Sequence, residues 1–136
     1  MLALVNTNEV IEIVTGTTAS TDWVVAYVDT SATGHVPNST QGNSSTAGAT
    51  TIISSPAAGV TRKVIHISVT NVSTGTQTIT VNKDVAATNY RVFPRVTLSP
   101  GDSLQFNDIN GFKLIGSNGL EKVQATENVG STSFVS

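Results

Sequence analysis

The sequence predicts an all-β protein: a single β-sandwich or jelly-roll-like domain with a long polar loop and extended termini. Three observations carry this. Thr and Val abound and runs of helix formers are few; β-branched side chains lose freedom on a helix but fit a pleated surface. Short segments alternate apolar and polar residues with a period of two. Gly, Pro, Asn and Asp recur between those segments at hairpin-like intervals, a rhythm that a small barrel would share.

Taken in order, Glu9, Val10, Ile11, Glu12, Ile13 and Val14 read as the first strand, and a Gly/Thr/Ser turn follows through Gly16. Residues 23–28 read as the second. Trp23, Val25 and Tyr27 share one face there and Val24, Ala26 and Val28 the other, so the strand is expected to be covered on both sides. Residues 30–50 are almost wholly Ser, Thr, Asn, Gly and Ala. Such a composition buries too little apolar surface to organise itself, so the segment is expected to be a loop that gains order from a partner.

Residues 51–53 form a short strand closed by Pro56 and Gly59. Residues 63–70 form the clearest one, with Ile65, Ile67 and Val69 on one face and Val64, His66, Ser68 and Thr70 on the other. A turn at Ser73 to Thr76 joins it as a hairpin to the alternating Ile79 and Val81. The next strand spans 90–98, where Pro94 marks an edge or a bulge. Pro100 and Gly101 occupy the central positions of a type II turn. Leu104 and Phe106 then alternate up to Asn110-Gly111, a type I′ signal that reverses the chain into Phe112 and Leu114. Asn118-Gly119 offers a further reversal.

The 136 residues suit one domain, divided into an N-terminal arm at 1–8, a sandwich at 9–120 and a polar tail at 121–136. Charged residues make up only 12% and the net charge is −2, with seven basic side chains. That is too sparse to neutralise a phosphate backbone, so no nucleic-acid partner is expected. No apolar run approaches the roughly 20 residues that span a bilayer, and Met1 to Val5 is too short for a signal-peptide core. Neither a membrane nor export by that route is expected. Cysteine is absent, which excludes disulfides and thiolate metal sites.

Few residues are spaced for chemistry. His35 and His66 lack companions at metal-ligand spacing, and no G-x-S-x-G element presents a nucleophile. Glu9 with Glu12, and Asp102 with Asp108, are carboxylate pairs explained by strand starts and turns. Residues 107–111 lack the third oxygen donor and distal Glu of a calcium loop. No enzyme, metal or cofactor is expected. Trp23 and Tyr27 fit a core better than an exposed sugar platform.

The runs TIISSPAAGVTRKV at 51–64, ISVTN at 67–71, VTLSPGDSLQF at 96–106 and GFKL at 111–114 resemble small virion structural proteins of tailed bacteriophages, as do LVN at 4–6, IEIV at 11–14 and VAYVD at 25–29. The resemblance covers most of residues 1–120 and rests on strand and turn patterns without catalytic residues. It implies a β-sandwich or jelly-roll protein made in the host cytoplasm and placed on the virion. There it would act as a head-decoration (cement) protein on the major capsid protein, or contact other virion proteins, as a homo-oligomer of trimer type. The apolar residues of the termini, Leu2, Leu4, Val5, Phe134 and Val135, are the candidate partner contacts, and both termini are expected to be dispensable for folding. The alternative is a tail- or fibre-associated adhesion module that binds a surface glycan or receptor through Trp23 and Tyr27, or through Tyr90 and Phe93.

Overall fold

A computed structural model describes residues 1–122. Within them the chain forms ten strands: β1 (Leu2–Leu4), β2 (Glu9–Thr15), β3 (Thr21–Ser31), β4 (Gly34–Ser44), β5 (Gly48–Ile53), β6 (Thr61–Asn71), β7 (Gln77–Val85), β8 (Thr88–Leu98), β9 (Ser103–Asn107) and β10 (Gly111–Ile115). One antiparallel sheet has the order β10-β9-β6-β3-β4, with β1 also paired to β6; the other has the order β5-β2-β7-β8. Neither closes on itself, so the fold is a sandwich and not a barrel. Ile11, Ile13, Ile79 and Val81 from one sheet meet Val25, Ile67, Val69 and Leu104 from the other in one buried core. Phe112 on β10 stacks against Phe93 of β8 at 4.7 Å and Phe106 of β9 at 4.9 Å, joining the sheets along one side.

Four expectations are corrected. First, residues 30–50 are not a loop. β3 and β4 form a long hairpin around Ala32-Thr33, and β5 begins at Gly48. Composition misleads here because an edge strand draws its order from the backbone ladder with its neighbour and needs no burial of its own. Second, β6 and β7 are not a hairpin: they lie in different sheets, and the Ser73 to Thr76 turn carries the chain across. Third, the alternation in β6 breaks at Ile65. Pairing jumps from Ala26↔His66 to Tyr27↔Val64, so Val64 turns into the core while Ile65 is only half-buried. The extra residue of a bulge swaps the faces of everything beyond it. Fourth, β3 is not covered on both sides, since Val24 is 48% exposed on the outer face.

Turn chemistry is otherwise close to expectation. Gly101 has φ 85° and Asp102 N donates to Ser99 O at 2.9 Å, as a type II turn requires. The β9–β10 hairpin differs: its loop is Asp108 to Asn110, and Gly111 alone takes positive φ, 76°. A two-residue type I′ turn would need positive φ at both of its central residues, so Asn110-Gly111 is not one. Pro94 sits at an irregularity of the edge strand β8.

The N-terminal arm is also part of the domain. β1 pairs with β6 in the register Leu2↔Val64 and Leu4↔Arg62, and Leu4 is fully buried. Glu9 ties the arm down. Its carboxylate accepts from Val5 N at 2.7 Å, Asn6 N at 3.3 Å and Asn6 Nδ2 at 2.9 Å. Lys83 Nζ lies 3.4 Å from Glu9 Oε1 and donates to Ala3 O at 3.2 Å. The Val5 hydrogen bond, with help from Asn6 and Lys83, holds the Glu9 carboxyl down to about 2 although burial pushes it upward.

Two outcomes follow from this clamp. Leu4→Ala should lower the unfolding free energy by about 2–5 kcal/mol in a urea titration, the usual cost of a buried leucine truncation. The depressed Glu9 value means its stabilisation is complete above the ordinary carboxyl range near 4.5 and is lost as pH falls towards about 2. Glu9→Gln should therefore cost about 3 kcal/mol at neutral pH, with the gap from the unsubstituted protein closing as unfolding is measured at successively lower pH.

Candidate assembly surface

Of the proposed partner contacts, Leu4 is corrected: it is sealed in its own core and unavailable to another chain. Leu2 is half-buried against that core, while Val5, just beyond the strand, is 56% exposed. Phe134 and Val135 lie outside the described residues. Of the five named residues, Val5 and part of Leu2 are thus the apolar surface accessible within the described residues.

The most accessible element is one the sequence reading treated as loop. β4 pairs with β3 along its whole length, from Thr21↔Ser44 to Ser31↔Gly34, and with no strand on its other side. It carries no Asp, Glu, Lys or Arg, and nearly all of it is exposed. A two-residue hairpin loop closes on a hydrogen-bonded pair, so Ser31↔Gly34, Asp29↔Val36 and Tyr27↔Asn38 are bonded pairs and Val28↔Pro37 is not. Pro37, with no N–H to give, fits this parity. The main-chain groups of His35, Ser39, Gln41 and Asn43 consequently point outward along the edge. Long uncharged edges of this kind are templates for strand pairing, which most sheets suppress with charge, bulges or cover. The opposite sheet shows those devices on β8, where Arg91, Pro94 and Arg95 accompany two breaks in register.

Behind the edge, the outer face of the sheet is broad and nearly neutral. Alternation and register place Val24, Ala26 and Val28 of β3 between Gln41, Ser39 and Pro37 of β4 and Ser68, His66 and Lys63 of β6. Gln105 Nε2 donates to Ser68 Oγ at 2.9 Å, and Asn43 Nδ2 to Asp22 Oδ1 at 2.7 Å. The face is built from short hydrogen-bonding side chains around a narrow apolar strip.

Trp23 is turned the other way. Its ring lies over Gly42 of β4, so close that a Cβ built there would be 2.5 Å from Trp23 Cζ2. Trp23 and Tyr27 pack against the core, and the Arg62 guanidinium caps the Tyr27 ring at 4.3 Å. Arg62 is fixed by Asp29 through Nε–Oδ1 at 2.8 Å and Nη2–Oδ2 at 3.0 Å, and its Nη1 donates to Ser54 O at 2.8 Å. This bidentate pair closes one end of the sandwich. Phe93 is engaged with Phe112, which leaves Tyr90, 58% exposed, as the free aromatic of the four considered for a glycan platform.

The remaining candidates do not converge. His35 Nδ1 is 2.9 Å from Thr30 Oγ1 at the hairpin tip, while His66 sits on the outer face of β6. Asp102, 3% exposed, accepts from Ser99 N, Ser117 N and Lys122 Nζ, so it holds the last described turn to the domain. Asp108 pairs with Lys63 at 3.1 Å. Among the described residues no three His, Cys, Asp or Glu side chains gather at metal-binding distance, and no helix is long and apolar enough to cross a membrane. No protein-family model, curated protein or solved structure matches the chain.

The Trp23–Gly42 contact can be checked directly. Gly42→Ala should lift the indole off the edge strand, lower stability by about 1–3 kcal/mol as overpacking does, and shift the Trp23 emission to longer wavelength in the folded protein.

Proposed function

We propose that this chain is a non-enzymatic structural protein of a tailed-phage particle, a head-decoration (cement) protein that bridges neighbouring capsid subunits. The observation that carries the assembly part of this reading is the β4 edge: eleven residues, uncharged, exposed, and offering main-chain donors and acceptors without a pairing strand. The particle is supplied by the resemblance, over most of residues 1–120, to virion proteins. A cement protein needs many neutral hydrogen-bonding groups over a repeated contact, and its stability then rises with assembly by mass action. The outer face beside β4 has that character. The engagement of Trp23 and Phe93 inside the domain favours this reading over a glycan-binding adhesion module.

The test uses the parity of the edge. Gln41 occupies the same type of position as Pro37, opposite a non-bonded partner, Val24. Gln41→Pro removes an outward donor and leaves the β3–β4 ladder intact. In co-sedimentation with purified heads lacking the protein, the full-length chain should bind saturably and raise the temperature at which the heads open. Gln41→Pro should fold normally by circular dichroism and bind about five- to tenfold more weakly, the cost of one lost hydrogen bond per copy. Failure of the full-length chain to bind heads would overturn the cement role, and equal binding by Gln41→Pro would remove β4 from the contact.

A further inference from the structure

The outer face of the β5-β2-β7-β8 sheet holds an enclosed set of polar groups. Glu12 on β2 is directly opposite Asn82 on β7, and Val10 is opposite Asp84 two residues further along the same face. Directly opposed Cβ atoms lie about 4.5–5.5 Å apart, so the three side chains share one patch. They are unusually enclosed for an outer face: Glu12 is 7% exposed and Asn82 6%. Asn82 Oδ1 and Asp84 Oδ1 are both inaccessible and without a hydrogen-bond partner. Glu12 makes no hydrogen bond or ion pair among the described residues. The neighbouring strands bring Thr51 of β5 opposite Glu12 and Arg91 of β8 opposite Asn82; Arg91 is exposed and pairs with neither carboxylate. Lys83, between Asn82 and Asp84, points to the other face and serves Glu9.

Buried oxygens without partners are rare in native proteins because each forfeits its hydration. Here an amide oxygen and one carboxylate oxygen do so on one patch, beside a Glu12 carboxylate that makes no hydrogen bond or ion pair among the described residues. Glu12 and Asp84 are diagonal neighbours across the β2–β7 ladder, two like charges in one enclosed patch, a repulsion that a positive charge would relieve.

We propose that Glu12, Asn82 and Asp84 form a binding site for a hard divalent cation of the calcium type. The donors are all oxygens, which excludes a preference for softer metals. Calcium accepts mixed carboxylate and amide ligands at variable geometry and fills its remaining positions with water; magnesium demands a tighter octahedron than side chains of two adjacent strands provide. The site does not depend on the assembly role. Bound there, the ion would pin β2 to β7 at the centre of the sheet.

The experiment is thermal unfolding of the full-length, chelator-treated protein near neutral pH, titrated with calcium chloride against sodium chloride at equal ionic strength. A saturable rise in Tm, half-complete at about 0.1–1 mM as in weak calcium modules, is the expected result. Glu12→Gln should raise Tm without calcium, because it removes the repulsion, and abolish the calcium response. Asp84→Asn should abolish the response as well. Asn82→Asp should lower Tm without calcium and enlarge the response, which keeps the test decisive if either neutral variant folds poorly. No calcium-specific shift up to about 10 mM, or an undiminished shift in the Glu12→Gln and Asp84→Asn proteins, would overturn the site.

Discussion

The two sheets stay in one domain because the chain can pass between them at an end that is polar yet fully bonded. Asn71 and Gln77 are completely buried there. Asn71 Nδ2 donates to Gly75 O and Leu98 O, while its Oδ1 accepts from Ser73 N and Ser73 Oγ. Gln77 Nε2 donates to Thr17 O, Ala19 O and Thr21 Oγ1, and its Oε1 accepts from Thr17 N and Thr17 Oγ1. These two amides bond main-chain groups in two of the crossovers between the sheets, from β2 to β3 and from β6 to β7, where no ladder is available to do so. A satisfied network of this kind favours one connection, since an apolar side chain in place of Asn71 would leave the buried Leu98 carbonyl without this donor, and one in place of Gln77 would release the Thr17 and Ala19 carbonyls. The strand order, and with it the placing of β4 at an edge, rests on that corner.

The opposite end is closed by charge. Arg62 spans from Asp29 to Ser54 across the Tyr27 ring, and the Glu9 carboxylate gathers the turn after β1. Both charges are mostly buried, and both are paired with short, multiple hydrogen bonds, the condition under which enclosed ions hold a structure together. Their joint effect is to fold the first residues into the domain. An arm that was expected to reach outward is spent internally, and the surface left for contacts is the sheet edge and its neutral outer face.

Much of the fold was legible because burial writes a period of two into the sequence. β2, β6, β7, β9 and β10 each carry alternating apolar residues, and Pro94, Pro100 and Gly101 announce local geometry that side-chain chemistry enforces. What was not legible has no such imprint. β4 buries almost nothing, so Asn, Ser, Thr and Gly there satisfy an edge strand as well as they satisfy a loop; only the length of β3 demands a partner for it. β1 is too short to show a period. The bulge at Ile65 is invisible because Val64 and Ile65 are both apolar, and either parity looks reasonable until the β3 register selects one. The hairpin assumed between β6 and β7 failed for a related reason: turn residues reveal that the chain reverses, and the identity of the receiving sheet is set by Asn71 and Gln77 contacts distant in sequence. Of the candidate surface, Val5 and Leu2 were named from sequence and the β4 edge was not, while Glu12 was noted as a strand residue without its neighbours across the ladder.

Edges explain why the domain is arranged as it is. Besides the three-residue β1 on the flank of β6, the two open sheets have four outer strands, and these are treated unequally. β8 is interrupted by a proline and flanked by arginines, β10 and β5 are short, and the bridge between Ile115 and Glu121 covers part of β10. β4 alone is long, regular and free of charge. Protection of the other edges confines any strand addition to a single place and a single direction, which is how a sheet protein can carry an open edge and still form a defined contact. Pro37 adds a constraint of its own: by removing one outward donor near the hairpin tip, it limits the available run to the stretch from Ser39 to Asn43, nearest the body of the domain. A partner strand laid there would be held against the rigid part of the hairpin, where Trp23 rests on Gly42, and not against its projecting tip.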